Sequence, residues 1–214
     1  AKKIGLFPSF INAVLKNILK EINNLNDIKI KIEDFPLWFK EEIKKNKNLD
    51  LKIFLNSYFF ESSLHIVFKS SKLLDKFKED YKSSSNKSVF LKSLKKVNEL
   101  KNYNDGYWWV QNFSSMLPIM LSSDLKGKSI LDLCAAPGGK AFQILSENHN
   151  ITLNDISTKR IRVLKENLSR LKFSVKIENY NALKFPDNKK YDVIILDAPC
   201  SSVGTIRTNP EIFF

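Results

Sequence analysis

Residues Ile130-Leu131-Asp132-Leu133-Cys134-Ala135-Ala136-Pro137-Gly138-Gly139-Lys140 decide the fold. An apolar run of strand type passes through small side chains into the start of a helix, which is the form of a strand-loop-helix unit. Small side chains let a ligand approach the backbone, and free N–H groups at a helix start attract polar or anionic groups. Only Gly138 and Gly139 are glycine, so the G-x-G-x-x-G dinucleotide fingerprint is absent, and Ala141 after Lys140 excludes a Walker A loop. A plain tight turn is the competing reading of this segment taken alone.

Downstream, the pattern predicts a helix to about 147, a strand at Ile151-Thr152-Leu153, a helix over 157–171, and strands at Val175-Lys176-Ile177 and Asp192–Leu196. Strands alternating with helices predict an α/β fold with a doubly wound, Rossmann-like parallel sheet. Ligands of such sheets bind at the carboxyl ends of the strands. Asp155 closes the second strand, where an acid commonly takes the hydroxyls of a ribose, so a nucleoside-containing cofactor is expected. Asp197-Ala198-Pro199-Cys200 follows the fourth strand and brings a carboxylate and a thiol to the same rim. Cys200 near Lys140 is a nucleophile candidate, against the plain reading of a small buried residue. Arg207, further along this loop, is suited to a phosphate or a carboxylate.

Upstream, Ser9 is placed to cap a helix with Phe10, Ile11, Val14, Leu15, Ile18, Leu19 and Ile22 on one stripe, which needs a partner surface. Further helices are expected from Pro36, carrying Leu37, Trp38, Phe39 and Ile43, and over 49–59. Leu64, Ile66 and Phe68 alternate with His65, Val67 and Lys69 as a strand. A helix over 71–82, a loop at Ser83-Ser84-Ser85-Asn86, a strand at Trp108-Trp109-Val110 and a helix at 113–121 complete the expectations. The stretch 88–100 fits strand or helix equally.

With 43% hydrophobic residues and sixteen Phe among 214, the chain is globular and not a disordered basic tail. Two cysteines exclude a disulfide scaffold or a multi-cysteine metal site, and His65 and His149 are too scattered to rescue a metal reading. No apolar run approaches the roughly 18 residues of a membrane span, so a reducing, cytoplasmic location without membrane contact is expected. The net charge is +12, with 21 Lys against 12 acids up to residue 102 and 14 basic residues against 11 acids after it. A basic module ahead of a nearly balanced one suits a nucleic-acid enzyme with an RNA-gripping part. Codon drift competes, because 31 of the 35 basic residues are Lys and Asn, Ile and Phe are abundant as well.

The segments LDLCAAPGGK (131–140) and LDAPCSSVGTIRTNPEI (196–212) resemble the RNA cytosine carbon-5 methyltransferases of the Nol1/Nop2/Sun family. GLFPSFINAVLKNILK resembles the last helix of the NusB-like domain found in the bacterial 16S rRNA branch of that family, and DFPLWFKEEI and DGYWWVQNFSS are similar to later landmarks. The resemblance implies the end of a NusB-like helical domain over 1–28, a linker and small α+β RNA-binding subdomain over 29–102, and a methyltransferase domain over 103–214. It implies S-adenosylmethionine held by Cys134, Ala135, Ala136, Pro137, Gly138, Gly139, Lys140 and Asp197, with Asp155 on the ribose and Asn181 near the adenine. It further implies Asp197 as the acid near N3 of the cytosine and Cys200 as the group assisting product release. Tyr180-Asn181 stands where the family has Gly-Asp, and Gln111-Asn112 where it has Gln-Asp. The attacking thiolate of the family comes from a Thr-Cys motif after the next strand, expected beyond Phe214. Ala1 and the end at Phe214 therefore predict a fragment that cannot complete methyl transfer; methylation of ribosomal RNA by it would promote Cys200 to nucleophile. The implied partner is 16S ribosomal RNA with an unstacked cytosine, and the chain is expected to be monomeric. An amino-group methyltransferase, which tends to carry Asn-Pro-Pro-aromatic in the last loop, and a catalytically silent RNA-binding factor are the alternatives.

Overall fold

A computed structural model of the protein describes residues 7–22, 24, 31–46, 50–58, 63–92, 96–122, 125–186 and 190–200. Contacts divide it into two compact units, one within the first 60 residues and one over Glu61–Ser202. The expectation for Arg207 lies outside the described residues. No helix among the described residues is long and apolar enough to cross a membrane.

In the first unit, α1 (Pro8–Lys20) starts ahead of the expected cap, with Pro8 in its first turn and no side-chain cap. The fixed φ of proline and its missing N–H suit that position, so Ser9 falls inside the helix. The stripe of Phe10, Val14, Leu15, Ile18 and Leu19 is exposed. Helices α2 (Leu37–Lys45) and α3 (Leu51–Tyr58) form where the spacing predicts. Phe39 is buried, with its ring 5.3 Å from that of Phe35 and 5.7 Å from that of Phe54.

The second unit begins with β1 (His65–Phe68), α4 (Ser71–Leu74), β2 (Tyr81–Ser85), β3 (Ser88–Leu91) and β4 (Trp108–Val110). These strands form an antiparallel sheet in the order β2-β3-β1-β4. Two expectations fail here. The helix expected over 71–82 is a single turn, and within Ser83-Ser84-Ser85-Asn86, expected as a loop, Ser83 and Ser85 pair with β3 on either side of a register shift. The polar strand is satisfied from within: Ser84 and Ser85 hydroxyls meet Ser88 at 2.9 and 2.7 Å, and His65 Nε2 meets Ser84 Oγ at 2.8 Å. The expected alternation of β1 is also absent from its burial, since all four residues are buried. Successive side chains point to opposite faces, and here each face has its own core. Ile66 and Phe68 pack with Phe77, Val89 and Trp108, whereas Val67 joins Trp109, Phe142 and Ile144.

The chain continues as α5 (Phe113–Leu121), β5 (Ser129–Asp132), α6 (Gly139–Ser146), β6 (Asn150–Asn154), α7 (Thr158–Arg170), β7 (Lys176–Glu178) and β8 (Val193–Ile195). Strands β5 to β8 form the parallel sheet that the alternation predicts, in the order β7-β6-β5-β8. Ser157 caps α7 by accepting the Arg160 N–H at 3.3 Å, and Ile161, Leu164 and Leu168 form its buried face. Each fully buried Leu contributes about 2 kcal/mol. The order of strands reverses at β5, so the loop after β5 opens at the crevice where doubly wound sheets bind ligands.

Candidate functional site

The chain leaves β5 at Asp132 and turns into α6 through Leu133–Gly138. Gly138 has φ +120°, and a Cβ there would fall 2.0 Å from the Phe142 ring, so only glycine fits. The loop forms one wall of a cavity of about 240 Å³ that is also lined by Asp132, Gln111, Arg160 and Asp197. Cys134, Ala135, Ala136, Pro137, Gly139 and Lys140 all face it; Gly138 is not in its wall.

Asp155 is buried beneath this loop. It accepts the Ala136 N–H at 3.2 Å and the Ser157 N–H at 2.9 Å, and Arg160 Nη1 lies 3.5 Å away. Arg160 also donates to the Ala136 carbonyl, so acid and guanidinium together hold the N–H and the C=O of one residue, in the two peptides that flank it. Asn154 donates to the carbonyls of Leu133 and Tyr180 at 3.0 Å each and accepts the Tyr180 N–H at 2.9 Å. The ends of β5, β6 and β7 are thereby tied through one side chain. Asn181 is exposed and caps the short turn Ala182–Lys184 by accepting the Leu183 N–H at 3.0 Å. Asn112 does the same for α5, accepting the Ser114 N–H at 3.0 Å. An amide caps as well as a carboxylate, so neither site needs the acid to hold its local structure.

Lys140 Nζ and Asp197 Oδ2 are paired at 2.5 Å, with the lysine largely buried and the carboxylate exposed. Cys200 is exposed, three residues beyond Asp197. Asp132 is 2% exposed, and burial pushes its carboxyl up to about 7, against the pull of the Cys134 N–H at 3.2 Å and of Lys140. The Cys134 thiol is pushed up by burial and then by the charges of Asp155 and Asp132, so it stays protonated as a lining group. The cavity thus sets two carboxylates, Asp132 and Asp197, beside two cations, Lys140 and Arg160. Such a wall suits a ligand that carries both signs of charge. Sequence reasoning missed Asp132, Gln111 and Arg160 as cavity residues. An acid inside an apolar strand was the available signal for Asp132, because buried acids are rare without a partner.

Residues 119–214 match the family model described as 16S rRNA methyltransferase RsmB/F. Ribosomal RNA small subunit methyltransferase B of Serratia proteamaculans is 37% identical over 121 residues, which is 54% of this chain and 28% of that protein. The protein of the same name from Proteus mirabilis is 38% identical over 122 residues, 54% of this chain and 29% of that one. The chain therefore spans less than a third of the length of these curated relatives. Both motif segments, 131–140 and 196–212, lie within the residues that the family model matches. Among solved structures, PH0851 superposes with a TM-score of 0.73 at 25% identity, over 83% of this chain and 44% of that one. A methyltransferase homologue from Pyrococcus horikoshii gives a TM-score of 0.68 at 23% identity, over 94% of this chain and 66% of its own. The latter likeness shows the fold alone, a Rossmann-like methyltransferase fold.

Proposed function

We propose that the chain is the cofactor-binding part of an enzyme that transfers a methyl group from S-adenosylmethionine to carbon 5 of a cytosine in 16S ribosomal RNA. The observation that carries this reading is the cavity at the carboxyl end of β5, where the Cys134–Lys140 loop, Asp132 and Asp197 meet. The residues fit the cofactor. Ala135, Ala136 and Gly139 open the backbone to it, carboxylates complement its sulfonium and ammonium, and Lys140 and Arg160 complement its carboxylate. When bound, S-adenosylmethionine supplies an electrophilic methyl group.

The chain's own groups orient the rest. Asp155 and Arg160 fix the loop from below, with Asp155 also assigned to the ribose, and Asn181 is assigned to the edge of the adenine. Asp197, paired with Lys140, is assigned as the acid that supplies a proton near N3 of the base. In this reading a cysteine thiolate would add to carbon 6 and leave carbon 5 able to take the methyl group that the cofactor would supply. A base then takes the carbon 5 proton, and Cys200 assists the departure of the thiolate. The antiparallel sheet and its lysines are assigned to RNA, which enters with the target base unstacked.

Calorimetric titration of the folded chain with S-adenosylmethionine tests the reading. Saturable heat is expected, and its absence from a chain that melts cooperatively overturns the cofactor assignment. With the whole enzyme of which this chain is the proposed cofactor-binding part, label carried from the cofactor methyl into a 16S rRNA fragment is expected in 5-methylcytidine after digestion. An N-methylated nucleoside overturns the carbon-5 assignment.

A further inference from the structure

Gln111 follows β4 and is buried, 6% exposed, with its side chain in the cavity wall. It belongs to a relay that runs in one direction only. The Trp109 indole N–H donates to Gln111 Oε1 at 2.9 Å, and an indole nitrogen has no acceptor role. Gln111 Nε2 is left as the donor, reaching Gln143 Oε1 at 2.7 Å and the Ser115 carbonyl at 3.4 Å. Gln143 Nε2 then donates to the Met116 carbonyl at 3.2 Å, a group that only accepts. A donor-only group at one end and an acceptor-only group at the other fix both amide orientations.

The relay joins β4 to α5 and to the second turn of α6. Gly139, the first residue of α6, lies against the same amide, since a Cβ there would come 3.3 Å from Gln111 Cδ. Gly139 and Lys140 are cavity residues, so the standoff between β4 and α6 sets the shape of that wall. We propose that Gln111 is a positioning residue: by donating to Gln143 it holds the start of α6, and with it the Cys134–Lys140 loop, in the geometry that takes the cofactor. This rests on the reading of the cavity as the S-adenosylmethionine site.

Gln111→Glu keeps the shape and the acceptor for Trp109 but turns an acceptor toward Gln143 Oε1. Burial and the facing Gln143 oxygen push the introduced carboxyl above the ordinary carboxylate range, and its protonation restores a donor. Calorimetry on the full chain is expected to show S-adenosylmethionine binding about tenfold weaker than wild type at about pH 8, with the gap closing toward about pH 5.5. The ratio of the two affinities is the readout, because the other groups facing this position are common to both proteins. They are His65, whose Nδ1 meets the Gln111 carbonyl at 2.7 Å, and Asp132, Lys140, Arg160 and Asp197 around the cavity. Gln143→Met removes the acceptor without adding charge and is expected to weaken binding alike at every pH. It decides the matter should Gln111→Glu fail to melt cooperatively at the higher pH. Wild-type affinity in a folded variant overturns the positioning role, and a deficit of Gln111→Glu that ignores pH overturns the donor relay. A folded wild-type chain that gives no heat overturns the cofactor reading instead.

Discussion

Asp132 is the residue on which the charge of the cavity turns. Its carboxyl rises from the ordinary 3.8 to about 7 because burial penalises the anion more than the Cys134 N–H and Lys140 favour it. A raised acid pKa means that the folded chain binds more protons than the unfolded chain between about pH 4 and pH 7. The contribution to stability is therefore full at the acid end of this window, falls as pH rises through it, and is lost above about pH 7. Asp132→Asn keeps the acceptor for Cys134 and removes the titration. Urea denaturation is expected to show wild type losing up to about 4 kcal/mol relative to this variant from about pH 4 to pH 8. A difference that stays flat with pH would show that the carboxyl titrates normally. A cationic ligand favours the ionised form, so binding below about pH 7 is expected to release a proton. Calorimetric enthalpies should then vary with the ionisation enthalpy of the buffer.

Among the elements, α7 shows how the parallel sheet is held to the antiparallel one. Arg170, its last residue, donates from Nη1 to the carbonyls of Tyr103 at 2.8 Å and Trp108 at 3.1 Å and lies 4.1 Å over the Tyr103 ring. Lys69 donates to the Leu171 carbonyl just past the helix end, where a cation is favoured by the helix dipole. Gly106 lies against the Arg170 carbonyl, which a Cβ would meet at 2.0 Å. Lysine cannot reproduce the planar fork or the stacking, so Arg170→Lys is expected to lower the unfolding free energy by about 1–3 kcal/mol in urea titrations. Arg162→Lys, on the exposed face of the same helix, is expected to change it by less than about 0.5 kcal/mol. The helix itself was legible in the sequence, because Ser157 and the spacing of Ile161, Leu164 and Leu168 are local signals. The same holds for β5 and its loop, where an apolar run meets small residues. The grip of Arg170 was not, since its partners lie more than sixty residues away. Nor was β2, whose serines read as loop until His65 and Ser88 supply their hydrogen bonds from other strands. For the site, residue types placed Asp155 and the 134–140 loop at the right strand ends. That Asp155 turns beneath the loop, and that Gln111 and Arg160 reach the cavity, depends on packing between elements that no local pattern encodes.

At the scale of the whole molecule, the cavity and both cores of the parallel and antiparallel sheets lie within Glu61–Ser202. The two cores share β1 and β4: Ile66 and Trp108 face one, Val67 and Trp109 the other. A cut after residue 102 strips β4 of its partner β1 and takes Val67 out of the larger core. A chain beginning at Glu61 is therefore expected to melt cooperatively and to bind S-adenosylmethionine as the full chain does, whereas one beginning at Tyr103 is expected to do neither. Circular dichroism melts and the same titration check both. The charge divides differently. The first 60 residues hold 11 Lys against 7 acids, so most of the net +12 remains in the shorter chain. Since phosphate contacts release counterions, the logarithm of RNA affinity falls with the logarithm of salt in proportion to the contacts made. The chain beginning at Glu61 is expected to retain most of that slope for a 16S rRNA fragment. A slope that collapses on removal of the first 60 residues would place the RNA grip there, and not on the lysines of the antiparallel sheet.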